Sequence, residues 1–314
     1  MALGTNNVTV TTAANFIPEL WSDETIAAYK SNLVVANKVT KMNHAGKKGD
    51  TVHIPSPTRG SASSKAAGTE VTLIAATEGV VNISINKHYE YSRLIEDIVA
   101  KQALASLRAF YTDDSGYALA KQVDTDLLAL FEGFQGGGTT DGSYAAAVIG
   151  SDGSTAYNDA ANTNTGNGAA LADAGVRKMA QTLDDVDVPL MDRCIVIPPV
   201  EKKNLLGLSR FTEQAFVGEL GGGNSIRTGK VGDMYGMEVY VSTNAQAITA
   251  DDTSTAYRIG GMFHKSALAH VEQMAIRTQS QYKQEWLADL YTADTLYGVG
   301  ELRNDAGIAF VVPS

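Results

Sequence analysis

Residues 1–90 spell out parts with little core of their own, and this limits the possible folds more than any motif does. A Thr- and Asn-rich opening runs to Asn15. Phe16-Ile17-Pro18-Glu19-Leu20-Trp21-Ser22-Asp23-Glu24 then introduces a helix, with Ser22 or Asp23 as its cap and Ile26, Tyr29 and Leu33 at helical spacing. One short helix on an extended arm cannot bury Phe16, Trp21 and Leu33 by itself, so it must lie against another surface. After the turn Gly46-Lys47-Lys48-Gly49-Asp50, strand alternation appears at Thr51-Val52-His53-Ile54-Pro55. It resumes at Val71-Thr72-Leu73 and at Val80-Val81-Asn82-Ile83-Ser84-Ile85, across a stretch (56–68) rich in Ser, Ala and Gly. This is a long two-stranded excursion with a small-residue tip, and such a hairpin is marginal alone in water.

The remainder has more conventional patterning. From Tyr91 the apolar period moves toward 3.6, and Ile95, Ile98, Val99, Leu104, Leu107, Tyr111, Val123, Leu127 and Phe131 support helix through much of 92–134, broken near Thr112-Asp113-Asp114 or Gly116. Residues 135–167 abandon periodicity and read as an exposed insertion or a flexible boundary. A fresh unit follows: a helix over 169–183, a strand over 194–197, and a short helix opened by Pro199. Strands over 229–234 and 237–242, turned at Tyr235-Gly236, come next, and further strands are expected at 257–260, 270–276, 292–299 and 307–312. The fold class is α+β.

At 314 residues the chain is long enough for two domain-sized units of roughly 100 to 200 residues. Charged residues are 19% against about 25% in ordinary soluble domains, which fits a surface covered in part by other protein. The net charge of −10 argues against a free-standing nucleic-acid binder, and its distribution is uneven. Residues 1–111 hold 11 Lys and Arg against 9 Asp and Glu, while the rest hold 14 against 26. Within 38–65, Lys38, Lys41, Lys47, Lys48, Arg59 and Lys65 are opposed by Asp50 alone. This stretch is either a solvated basic loop or a cationic arm that docks on the acidic body of a neighbouring copy, where complementary charge sets register. The start lacks a basic region followed by an apolar run, so no secretory signal is expected, and no stretch is apolar for 18 residues as a membrane helix requires.

Tests for chemistry end without a site. The single cysteine, Cys194, lies in Arg193-Cys194-Ile195-Val196-Ile197, which reads as a buried strand, so core packing outweighs a nucleophilic role. The loop Leu220-Gly221-Gly222-Gly223-Asn224-Ser225-Ile226-Arg227-Thr228-Gly229-Lys230 is followed by Val231 and strand pattern, where a phosphate cradle needs Ser or Thr and a helix. None of the five histidines is paired at i,i+4. Adjacent carboxylates such as Glu96 and Asp97, or Asp184 and Asp185, diverge in direction and fit solvated faces or caps. Neither catalytic residues nor cofactor or metal ligands are assigned.

Four strings, in their order along nearly the whole chain, resemble the major capsid proteins of tailed bacteriophages. They are Phe16-Ile17-Pro18-Glu19-Leu20-Trp21; Gly49-Asp50-Thr51-Val52-His53-Ile54-Pro55; Gly232-Asp233-Met234-Tyr235-Gly236-Met237-Glu238-Val239-Tyr240; and Tyr297-Gly298-Val299-Gly300-Glu301-Leu302-Arg303. The resemblance implies an HK97-like capsid fold, with an N-terminal arm (1–45), an extended hairpin loop that lies across an adjacent subunit (46–90), a peripheral domain with its spine helix and an insertion (91–168), an axial domain (169–256) and a return to the peripheral domain (257–314). It implies a non-enzymatic protein that self-assembles, in rings of five and six, into the icosahedral head around the genome. The expected partners are further copies of the chain, a separate scaffolding protein, portal and decoration proteins and non-specifically contacted DNA, with no membrane.

Such a subunit would be assembled in the host cytoplasm and reside in the virion. The residues expected at assembly contacts are Phe16, Trp21, Lys38, Lys41, Lys47, Lys48, Arg59 and Lys65. Some members of the family weld subunits through a Lys–Asn isopeptide bond; no carboxylate near Lys47, Lys48 or Lys65 can be assigned to that reaction, so a non-covalent shell is expected. Two rival readings stand beside this one: an encapsulin-like nanocompartment shell, and an oligomeric hydrolase or carbohydrate-binding protein.

Overall fold

The structure is a computed structural model and describes residues 34–45, 48–57, 60–74, 78–97, 106–137, 144, 146–207, 233–251 and 254–314. Among these the strands form three sheets. In the first, β1 (Thr40–Asn43) runs parallel to β11 (Leu268–Lys283), which pairs antiparallel with β12 (Ala288–Glu301), and β12 pairs antiparallel with β4 (Lys87–Glu96). The second has the order β5 (Val148–Ile149), β13 (Gly307–Pro313), β10 (Ala256–His264), β6 (Arg193–Ile197), β8 (Met237–Val241) and β7 (Asp233–Met234), with β9 (Ala247–Thr249) beside β10. The third is the two-stranded hairpin of β2 (Thr51–Pro57) and β3 (Glu78–Ser84), in register from Thr51 opposite Ser84 to Pro57 opposite Glu78.

The long helix α1 (Ser106–Ala129) lies on the first sheet and meets it along one stripe. Ser115, Leu119, Gln122 and Asp126 recur at helical spacing, and each meets a side chain of the sheet. Ser115 shares a hydrogen bond with the Tyr291 hydroxyl (3.0 Å), and Leu119 packs with Tyr291 and Ala293. Gln122 donates to the Tyr89 hydroxyl (3.4 Å), while the Tyr297 hydroxyl donates to Asp126 (2.7 Å). Tyrosine suits this seam because its ring buries apolar area while its hydroxyl keeps a partner. The expected helix over 92–134 is corrected at both ends. Residues 92–96 belong to β4, where Lys87, Tyr89, Tyr91 and Arg93 alternate and pair with β12, so the strand period wins over the apolar count. Beyond Ala129 the chain tightens into a 3-10 helix, Leu130–Gly136, and turns at Gln135 with φ of 58°. No break occurs at Thr112-Asp113-Asp114 or Gly116.

The main core lies under the second sheet. Phe131, Phe134 and Phe263 cluster at centroid separations of 5.1 to 6.1 Å, packed with Ile195, Phe310 and the buried face of α2 (Asp173–Asp185). Each such ring stabilises the fold by about 1.5–3 kcal/mol through burial. Helix α2 starts four residues later than expected, after Ala172 in an extended conformation (φ −117°, ψ 159°), and the Leu171 amide ahead of it donates to Glu201 of α3 (Pro199–Leu206), at 2.7 Å. Cys194 is buried in this core, as its sequence setting predicts.

Two expectations of organisation change. The stretch 135–167 is no simple exposed insertion: Tyr144, Ala147 and Tyr157 are buried, β5 joins the second sheet, and the Tyr157 ring meets Tyr257 edge-on at 5.6 Å. Strands β10 and β13, expected to return to the peripheral unit, hydrogen-bond into the sheet of β6 and β8, so a boundary at 256/257 divides that sheet from its own strands. Residues 71–73 are not a strand; the hairpin is paired only over β2 and β3. The Tyr235-Gly236 turn is as expected, with both residues at positive φ (51° and 78°), as a two-residue hairpin turn requires.

The root of the hairpin crosses the face of the first sheet opposite α1. Ile83 and Ile85 bury against Ala269 and Val271, with Met42, Val52, Ile54, Leu296 and Leu302 around them. The approach is close because Gly298 has no side chain: a Cβ there would lie 2.5 Å from the Ser84 carbonyl oxygen and 3.1 Å from the Ile85 Cα. Gly298→Val should therefore lift the hairpin root and destabilise the subunit by about 1–3 kcal/mol, the usual cost of overpacking. Thermal unfolding together with proteolysis at 51–84 checks this; an unchanged melting temperature and an uncut hairpin would refute it.

Candidate assembly surface

A buried carboxylate joins three parts of the chain. Asp124 of α1 is fully buried and its Oδ1 accepts the amides of Val34 (3.3 Å), Val35 (2.8 Å) and Ala36 (3.4 Å), while its Oδ2 accepts the Asn244 side-chain amide (3.3 Å). One side chain thus fixes where the arm enters, how α1 lies, and where the β8–β9 connection of the second sheet sits. Asp124→Ala strands several buried donors at once. The expected loss is at least about 3 kcal/mol, since one unsatisfied buried group costs roughly 1–3 kcal/mol, and chemical denaturation reads it.

Outward from this frame, among the described residues, the most exposed large apolar side chains group at three places. On the hairpin tip these are Val71, Leu73 (88% exposed) and Ile74, with Val80 at the start of β3. At the β11–β12 turn they are Trp286 (67%) and Leu287, with Tyr282 nearby in sequence. Leu190 and Met191 project just before β6. Clusters of large exposed apolar residues mark surfaces that other protein covers. The sequence did not reveal these three as exposed, because Val71-Thr72-Leu73 carries strand alternation beside a small-residue tip and the β11–β12 turn falls in a gap between expected strands.

The basic stretch divides. Lys38 is engaged within the chain: its ammonium pairs with Glu238 of β8 and sits 4.8 Å from the Tyr240 ring centroid. The hydrogen bond that Lys38 donates to Glu238, then that to Tyr240, hold the Lys38 pKa above its ordinary value. Lys41 donates to Asn37 (3.0 Å). Lys48 and Lys65 are exposed on the hairpin side of the molecule. Phe16, Trp21, Lys47 and Arg59 lie outside the described residues. Among the described residues the expected contacts thus divide between Lys38 and Lys41, engaged within the chain, and Lys48 and Lys65, exposed.

No cluster of three or more His, Cys, Asp or Glu side chains suited to a metal occurs among the described residues. The Cys194 thiol is pushed up to about 12 by burial, which leaves it an unreactive core group. No described helix is long and apolar enough to cross a membrane.

One titratable group is tuned. The Glu301 carboxyl, at the end of β12, occupies the notch left by Gly133, where a Cβ would overlap its Oε1. Burial first, and the carboxylate of Glu132 second, push its pKa from 4.5 up to about 7. Because the folded value is raised, the folded state holds the proton more tightly than the unfolded chain. Folding stability should therefore fall as pH rises from about 4.5 to 7 and level off above that, a loss on the order of 1–3 kcal/mol. Glu301→Gln should flatten this window in denaturation curves taken across it; an identical pH slope in the variant would contradict the assignment.

Comparison with known proteins agrees with this architecture. A model of the family described as Phage capsid protein matches residues 94–303, more than half of the chain. Among solved structures, one from Mycobacterium phage Che8 superposes with a TM-score of 0.72 at 24% identity, covering 94% of this chain and 97% of that one. The capsid of Cyanophage P-SCSP1u gives a TM-score of 0.72 at 17% identity, with 99% and 97% covered, and the capsid of Ralstonia phage GP4 gives 0.67 at 13%, with 95% of each. At these identities the likeness is one of fold. Comparison with curated sequences yields no match. The chain belongs to the phage capsid protein family, as a major capsid protein that forms the shell of the head.

Proposed function

We propose that copies of this chain close into rings of five and six and then into the icosahedral head of a tailed phage, with a separate scaffolding protein and a portal, around DNA contacted without sequence preference. The observation that carries the reading is the hairpin of β2 and β3. Its root is buried on Gly298 and its tip presents Leu73 and Ile74 to solvent, so its outer half gains its apolar burial only from another subunit. The arm (1–45) and hairpin (46–90) are the reaching parts. The sheet of β6, β8, β10 and β13 forms the axial unit, and α1 with the sheet of β4, β11 and β12 forms the peripheral one. The shell is held by non-covalent contacts of standard interface size or larger, and the protein has no catalytic role.

In this reading Lys47, Lys48, Arg59 and Lys65 supply register by meeting the acidic body of a neighbour, because charge complementarity selects partner and orientation more than it adds affinity. Assembly takes place in the host cytoplasm and the product resides in the virion. Expression with the scaffolding protein should give particles of uniform diameter in electron micrographs, containing nucleic acid when packaging is allowed. A small closed oligomer that never forms shells would overturn the reading, and shells that enclose protein cargo in place of nucleic acid would favour a nanocompartment. Lys47→Glu, Lys48→Glu and Arg59→Glu together should abolish shells while leaving the subunit melting temperature unchanged; normal particles from that variant would refute charge docking.

A further inference from the structure

Strand β11 is 16 residues long, but β1 covers its outer edge only from Ala269 to Glu272. From Arg277 to Lys283 it pairs with β12 on one side, and among the described residues no strand lies along the other. Every residue from Ala275 to Tyr282 is exposed. The register with β12 shifts between Met274 and Arg277, and the regular span beyond, Arg277-Thr278-Gln279-Ser280-Gln281-Tyr282-Lys283, carries no proline and no carboxylate. The Arg277 guanidinium is held by both oxygens of Asp294, at 2.8 and 2.9 Å, so its charge is matched within its own subunit. A long edge with unpaired N–H and C=O groups is a template for another strand, and sheets that must stay apart blunt it with charge, proline or a covering segment. Apart from Lys283 at its end, this span has no such guard.

We propose that this edge pairs with the same edge of a second copy, antiparallel about a twofold axis at Gln279, so that β4, β12 and β11 of each copy join across the axis in one continuous sheet. A twofold axis perpendicular to a sheet sets one residue opposite its own copy, and the choice of that residue fixes every other pair. Centred on Gln279, Ile276 lies opposite the partner's Tyr282, Thr278 opposite the partner's Ser280, and Arg277 opposite the partner's Gln281. Ile276 and Tyr282 are the exposed large apolar side chains of β11, at 46% and 44%, and this register brings them together. Aromatic with β-branched and Thr with Ser are favourable pairs across antiparallel strands, while like charges directly opposite are destabilising. Centring on Arg277 would set that charge against itself, and centring on Ser280 would set it against the partner's Lys283. Lys283 falls opposite the partner's Ala275 in the favoured register. This match about a single point argues for a second copy of the chain over an unrelated strand, whose sequence would have no reason to repeat it.

The test uses the full chain as concentrated subunits in a Cys194→Ser background, with one new cysteine at a time, oxidised with oxidised glutathione and run without reductant. Directly opposite residues lie about 4.5–5.5 Å apart between Cα atoms, within disulfide reach, so Gln279→Cys should give a cross-linked dimer. Gln281→Cys should not, because its two copies are offset by four residues, roughly 13 Å along the strand and beyond the roughly 7 Å limit. No dimer from Gln279→Cys, as when another part of the same chain covers the edge, overturns the proposal. Equal dimer from the two variants, the mark of random collision, overturns it too. As an independent arm on the parent chain, amides of residues 277–281 should exchange more slowly in concentrated than in dilute subunits, and Thr278→Lys with Ser280→Lys, which sets like charges opposite each other, should remove the difference; exchange that ignores concentration in the parent overturns the proposal. The pairing needs neither the arm nor the hairpin, so its failure is separate from any failure of shell formation, which microscopy of the parent protein reports.

Discussion

Asp124 has to satisfy four donors with one carboxylate, and the geometry of the whole subunit follows from where those donors come from. Three are the amides of Val34, Val35 and Ala36 and one is the amide of Asn244, so a side chain in the middle of α1 holds the arm's entry on one side and the second sheet on the other. A buried carboxylate that fails to find such donors is costly, and this makes the joint all-or-none. With α1 fixed there, its opposite stripe can run along Tyr291, Tyr89 and Tyr297 and hold the first sheet beneath it.

That arrangement explains how a chain with so much reach remains folded. The joint and the tyrosine seam make a rigid frame, and the hairpin is rooted on the free face of the first sheet where Gly298 removes the obstacle of a side chain. Everything beyond the root extends past the frame's own core. Exposed apolar residues at the hairpin tip, at the β11–β12 turn and at Leu190 and Met191 are spread over the molecule, as expected for a subunit with several different neighbours. Glu301, whose pKa burial and Glu132 push up to about 7 in the notch at Gly133, adds a proton-sensitive element at the end of β12, close to the 3-10 helix that follows α1.

Much of the architecture was legible because local signals agreed with it. The alternation around Thr51–Pro57 and Glu78–Ser84, the Tyr235-Gly236 turn, the Pro199 helix start and the buried strand at Cys194 depend on neighbours within a few residues. What the sequence concealed is what depends on distant partners. Asp124 looks like any helix carboxylate until residues 90 and 120 positions away are placed beside it. Residues 92–96 carry enough apolar side chains to pass for helix, and only the register with β12 shows the strand. The string around Gly298 supported the family resemblance, yet its reason, the passage of Ser84 and Ile85, is invisible without the fold. Of the basic residues, Lys38 pairs with Glu238, two hundred positions away, which no local pattern could show.

Among the described residues the outer half of the hairpin has no partner in the body of its own subunit, and the proposed function requires that it acquire one in the shell. Amide hydrogen exchange over residues 60–74, compared between isolated subunits and assembled particles, tests it most directly. The account predicts exchange near the rate of unstructured chain in the subunit and strong protection in the particle. Equal protection in the two states would contradict it.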